Sequence, residues 1–433
     1  MLKEKKQFNI KYAVFFFAVI TLYGFVIVRR CALPQVENVT YLFHCVDFSM
    51  GFFSRLLPGG IYNLLVGSPS HTSAAIYETA LLLLGSAGIA LLLSRFMVSV
   101  PDTDKKTAFC LIAFFLTGSC TFAPYWYEIG MLDVSWIYIS LIYIAALRSK
   151  YIKWVLCPVL LFAACMVHPG AIITYVPFLS LLTLYVFAKE TDKKEKLRKG
   201  LVFLLCVSAA LGSFMYFTVN DKKNVNVSLT EFSEILEERG AEMTRYFEEI
   251  LFCTPENYTQ EYYDMQVTNG DYTGSPLTPV FSGEHLPALA SLGNAIAYQL
   301  QYQLYLMNTG SIIKDVIIEA AVLLLILLPL LILFYVFAVK KFRGAKGNAL
   351  LRFTYFCFLF MFPLAAFCSL FISTDSVRWI AHGFLCLFTL TLYVLHDNKE
   401  DWSIIKNYFS GFSPVIGTAY FFIYALTILD PYV

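Results

Sequence analysis

Charge is what this sequence has least of. Asp, Glu, Lys and Arg together make up 15% of the 433 residues, against 58% hydrophobic and 17% aromatic. A soluble domain of this size has no core large enough to hide that much apolar surface, and a mean hydropathy of +0.65 says the same. The composition excludes a soluble globular enzyme and predicts an all-α polytopic membrane protein. The net charge of +1 carries no information as a total, because in such a protein the meaning lies in how charge divides between the two sides. No nucleic-acid partner is expected.

Other absences narrow the reading further. The eleven cysteines show no metal-ligand spacing. Cys110, Cys157, Cys165, Cys206, Cys357 and Cys386 fall in apolar runs, where cysteine behaves as a small buried hydrophobe. Cys31, Cys45 and Cys253 lie in expected outer segments, where both pairing and free thiols suit the sequence. There is no internal repeat, and no inverted pair of broken helices of the transporter kind. No small-residue cleavage site follows the first apolar run before Arg29 and Arg30, so the basic start MLKEKK and that run read as an uncleaved signal anchor.

What is abundant is long apolar runs. At about 20 residues per membrane helix, candidates lie near 12–28, 73–94, 107–124, 134–148, 154–167, 171–188, 200–219, 315–339, 350–373, 381–396 and 412–429, about eleven in all. Only HPG separates the fifth from the sixth, so 154–188 also suits a tight hairpin or re-entrant pair. Lysine and arginine cluster at every second connection, from MLKEKK through RSKYIK and KETDKKEKLRK to KKFRGAK. Positive loops stay cytoplasmic, which predicts a multi-pass protein of the cell (cytoplasmic) membrane with its N-terminus inside. The expected layout is an N-terminal membrane module over 1–219, a partly helical extracytoplasmic loop over 220–314, and a C-terminal membrane module over 315–433. Ser228-Leu-Thr-Glu231 opens the loop as a capping box, and apolar residues at helical spacing predict an amphipathic helix over 229–250. A second segment carries Tyr298, Tyr302 and Tyr305 on one side, suited to a sugar or lipid groove or to ordinary interfacial packing.

Sorting the scarce ionisable residues by expected side gives a one-sided collection. Asp47, Arg55, Glu128, Asp133, His168, Asp375, Arg378 and His382 all fall at outer ends. Charge at membrane depth is costly and faces an internal cavity when it occurs, so this collection predicts a site open to the outside. Asp47, Glu128 and Asp133 are the candidate catalytic carboxylates. Arg55, His168, Asp375 and Arg378, with Tyr298 and Tyr302, are the candidate substrate-binding residues. Each has a plainer role open to it: a structural ion pair between Asp47 and Arg55, loop solvation for Glu128 and Asp133, helix capping for His168, and a local salt bridge between Asp375 and Arg378. Trp379 is expected to anchor its segment at the interface, with Arg378 directed inward.

An acidic residue after the first helix (Asp47), acidic residues in the second outer loop (Glu128, Asp133) and a large outer loop before the eighth helix (220–314) together resemble the membrane glycosyltransferases of the GT-C superfamily. The resemblance covers the architecture of most of the chain. It implies a sugar donor linked to polyprenyl phosphate, a glycan, lipid or protein acceptor, and transfer on the outer face; it leaves a divalent metal ion open as cofactor, because Asp47 has no acidic neighbour. The residue types suit this chemistry in their own right. An arginine pairs with a lipid phosphate, and a carboxylate takes the proton of the acceptor hydroxyl. Polysaccharide polymerase, membrane acyltransferase with His168 as base, and lipid or sugar transporter are the alternatives.

Overall fold

A computed structural model of the chain describes residues 9–67, 69–127, 129–220, 222–244, 251–252, 313–372 and 376–427. Among these the regular structure is helical, with no strand. The helix α1 (Ile10–Leu22) runs on as a wider π-helical segment to Val28, and α2 (Asn38–Cys45) and α3 (Leu56–Val66) follow as short pieces. Then come α4 (His71–Ser99), α5 (Lys105–Leu116), α6 (Ala123–Tyr127), α7 (Val134–Leu147), α8 (Lys153–Val167), α9 (Tyr175–Ala188) and α10 (Lys193–Asn220). The helix α11 (Leu229–Glu238) precedes the long α12 (Ile313–Gly344), α13 (Ala349–Ile372) and α14 (Ser376–Asp397), and α15 (Trp402–Phe409) and α16 (Pro414–Leu426) close the chain.

The described residues contain seven helices long and apolar enough to cross a membrane, or eight if the bent pair made by 399–409 and α16 is one span. They coincide with seven of the runs expected from sequence. The others differ in length: α5, α7 and α8 have 12, 14 and 15 residues, and at 1.5 Å per residue about 15 residues reach only about 22 Å of a roughly 30 Å hydrocarbon core. The expected run 107–124 stops being helical at Leu116, where Thr117 turns extended. Seven such long apolar helices among the described residues support a membrane protein.

Burial identifies the centre of the bundle. The most apolar window of α14 is 83% buried, whereas those of α1 and α10 are 28% buried. Around α14 pack α9, α12 and α13, while α8 packs on α7 and α10, and α1 on α4. A central helix has no lipid-facing side, so any polar residue on it must find partners within the protein. Arg378 and His382 sit on its first turns.

The helix expected over 229–250 ends early. Ser228 caps it as expected, accepting from the Glu231 N–H at 3.2 Å. Gly240 then takes φ +72°, the left-handed conformation that stops helices, and the chain leaves the helical path. The segment lies on the α2–α3 region: Gly51 bridges to Val225, the Phe52 N–H donates to the Asn224 carbonyl, and Phe232 and Leu236 are buried.

Candidate functional site

Arg378 and His382 are four residues apart on α14, one helical turn, so their side chains share a face. Opposite them is Asp133, just before α7. Its Oδ2 lies 3.8 Å from Arg378 Nε and 3.4 Å from His382 Nε2. All three are buried, with exposures of 6%, 5% and 0% for Asp133, Arg378 and His382. Aromatic rings wall the cluster. The His382 ring contacts Tyr125, Tyr175, Trp136 and Trp379. The Tyr125 and Tyr175 hydroxyls hydrogen-bond to each other, and the Arg378 guanidinium stands 5.3 Å from the Trp379 ring centre.

A second pair of groups joins this wall from the other side. His168 links α8 to the turn that opens α9, and its ring contacts both Trp136 and Trp379. Gly170 makes this approach possible, since a Cβ there would sit 2.4 Å from Trp379. Arg55 precedes α3 with φ +73°, a left-handed conformation that costs a non-glycine residue about 1–2 kcal/mol. Its N–H donates to the Met166 carbonyl at 2.7 Å, tying the α3 start to the end of α8. This places Arg55 Nη2 3.2 Å from His168 Nε2.

The protons of that contact carry the chemistry. His168 Nδ1 accepts a hydrogen bond from the Gly170 N–H at 2.9 Å, so a neutral ring carries its proton on Nε2. Burial, with Arg55 and Arg378 nearby, holds the imidazole neutral well below its ordinary pKa. Nε2–H and the Arg55 N–H are then two donors facing each other, and neither satisfies the other. Arg55 Nε, also buried, has no hydrogen-bond partner among the described residues. Donors that converge without an acceptor form a site for an oxyanion.

Asp47 occupies a different setting. It caps the short turn Phe48–Met50, its Oδ1 accepting from the Ser49 N–H at 2.9 Å and from the Ser49 hydroxyl. Its Oδ2 pairs with Arg239 at 2.8 Å. Burial pushes its pKa up, but the Ser49 hydrogen bonds and Arg239 outweigh this and hold the carboxyl below its ordinary value. Arg239 in turn is fixed by its own carbonyl, which accepts from the Tyr41 hydroxyl at 2.7 Å. No hydrogen bond or ion pair among the described residues joins Asp47 to Arg55 or to the Asp133 cluster, and the ion pair that spacing suggested for Asp47 and Arg55 is replaced by one with Arg239.

The structure thus brings Arg55, His168, Arg378 and Asp133 to one aromatic-walled region and leaves Asp47 beside it in sequence, paired elsewhere. Glu128, Asp375, Tyr298 and Tyr302 lie outside the described residues. Trp379 is 3% exposed; it packs inside against Trp136 and His168 rather than anchoring at an interface. His168 closes the helix before it, as expected, its backbone N–H donating to the Ala164 carbonyl at 3.2 Å, and its side chain caps the turn after it. Cys31 and Cys45 are both free thiols. Among the described residues no three His, Cys, Asp or Glu side chains group to hold a metal ion, and the one carboxylate within this cluster, Asp133, is already committed to Arg378 and His382.

Sequence reading missed Arg239, Trp136 and the His44–Glu78 pair. Glu78 carried a signal, since it is a carboxylate inside the apolar run of α4. The signal for Arg239 is faint: one arginine at the end of an acidic amphipathic helix. Comparison of the chain with family models, curated proteins and solved structures finds no match.

Proposed function

We propose that this chain is a membrane glycosyltransferase that moves a sugar from a polyprenyl-phosphate donor to an acceptor hydroxyl of a glycan, lipid or protein, on the outer face of the cytoplasmic membrane. The observation that supports this most is the donor-against-donor contact of Arg55 and His168 beside Arg378. It is the arrangement a buried phosphate would complete.

In this reading Arg55 Nη2, His168 Nε2–H and the Arg378 guanidinium take the donor phosphate, and Asp133 positions Arg378. The acceptor oxygen attacks the anomeric carbon as the bond to the phosphate oxygen breaks, inverting the configuration, and the electron pair leaves with polyprenyl phosphate. The cations stabilise the charge that develops on that leaving group. Asp47 takes the acceptor proton as general base. Its low pKa keeps it ionised, and exchange of Arg239 for the acceptor hydroxyl is needed to free it. The short helices α5, α7, α8 and α16, with their flanking turns, complete eleven crossings that carry this end of the bundle outside.

The test is a purified assay with polyprenyl-phosphate monosaccharide. Transfer is expected, and expected to survive chelation, because arginines supply the positive charge. Activity on a lipid-linked oligosaccharide alone would move the reading to a polymerase, and Mg²⁺-restored activity after chelation would put a metal in the site. For sidedness, a cysteine at position 269 should react with an impermeant thiol reagent on intact cells and one at 191 should not.

A further inference from the structure

Lined in part by Tyr125 and Tyr175, a cavity of about 150 Å³ runs between α4, α7, α9 and α14. Its walls are apolar side chains such as Ile89, Phe115, Ile137, Leu141, Phe178 and Leu385. Along α14 it extends from Cys386 to His396, ten residues or roughly 15 Å. Arg95 and Arg148 line its far end. Both are exposed, and neither forms an ion pair with a carboxylate among the described residues. The Arg148 guanidinium is held 5.6 Å from the Tyr393 ring centre, which fixes it at the mouth.

The geometry points to a binding site for an anionic phospholipid, with one acyl chain in the cavity and the phosphate between Arg95 and Arg148. A mostly apolar slot lined along about 15 Å of α14 suits hydrocarbon, and two arginines at its mouth match a phosphodiester with net negative charge. The mouth lies about 21 Å along α14 from His382, 14 residues at 1.5 Å each, so this site is separate from the oxyanion site. It stands whether or not the glycosyltransferase reading does. The bound chain would press on the same two tyrosines that wall the Asp133 cluster.

The test uses the full chain in mixed micelles with phosphatidylglycerol carrying a photoreactive diazirine mid-chain, and maps the labelled peptides by mass spectrometry. Labels are expected on the 137–144 and 385–392 stretches, at least tenfold more than with phosphatidylcholine of the same chains. Arg95→Gln with Arg148→Gln should lower that labelling at least tenfold. Ser140→Trp, which fills the cavity and leaves both arginines in place, should abolish it, and serves alone if the double variant fails to fold. Labels spread over lipid-facing positions such as Leu84 and Val155 without preference for the cavity would overturn the proposal. So would cavity labelling equal for the two lipids and indifferent to the arginines.

Discussion

Two buried histidines of this chain are treated in opposite ways. His44 Nδ1 lies 3.0 Å from the Thr40 carbonyl, which only accepts, so that nitrogen carries a proton; Nε2 lies 2.7 Å from Glu78 Oε1. His44 is fully buried and Glu78 4% exposed. One further proton sits between them, on the ring or on the carboxyl, and both ring nitrogens are satisfied. His168 meets a donor at each nitrogen, and only one of those contacts is a hydrogen bond. The first ring is satisfied at both nitrogens, although Glu78 Oε2 has no hydrogen-bond partner among the described residues; the second ring lacks an acceptor, which is what the proposed phosphate would supply. Hydrogen bonding at the ring nitrogens separates the two histidines where residue type does not.

The contrast breaks most sharply at the carboxylates. Asp47→Asn keeps shape and loses basicity, so turnover in the purified assay should fall roughly 10²–10⁴-fold with the protein folded. Near-normal transfer would remove the base assignment. Glu78→Leu should cost about 3–5 kcal/mol of stability, because it leaves half of a buried pair behind. A thermal melt in detergent reads this, and an unchanged midpoint would mean the pair does not stabilise the fold.

Arg55→Gly sharpens the other side. Glycine accepts the left-handed backbone, so about 1 kcal/mol of strain is relieved and the melting temperature should rise slightly. Loss of a charged donor costs about 1.5–3 kcal/mol, so donor-phosphate binding should weaken about ten- to a hundredfold. A loss of stability with binding intact would make Arg55 structural. The smallest effect belongs to the Asp47–Arg239 pair. Its carboxyl has a lowered pKa in the folded state, so the pair's stabilisation is full above the unfolded value and is lost as pH falls below the ordinary 3.8 through the folded one. Arg239→Gln should weaken that acid limb of the melting curve and leave the part set by the Ser49 hydrogen bonds; an unchanged limb would mean that Arg239 contributes nothing to it.

Some of the site was legible because membrane burial makes charge expensive. Asp133, His168 and Arg378 stood out as rare ionisable residues at helix ends, and they do meet. Arg55 stood out too, but nothing in its neighbours predicts a left-handed backbone or a contact 113 residues away with His168. Asp47 was legible as a polar residue in an apolar chain, and its partner was not. Arg239 reaches it across 192 positions through the fold of α11 onto α2.

By itself, the sequence determined the class of the protein and most of its long helices, because hydrocarbon sets the length and composition of anything that crosses it. Capping at Ser228 was equally local. Only the tertiary structure decided which polar groups are satisfied and which are left facing one another. That depends on contacts between α3 and α8, α7 and α14, and α11 and α2, and such pairings follow from how whole helices pack, not from any pattern within one of them.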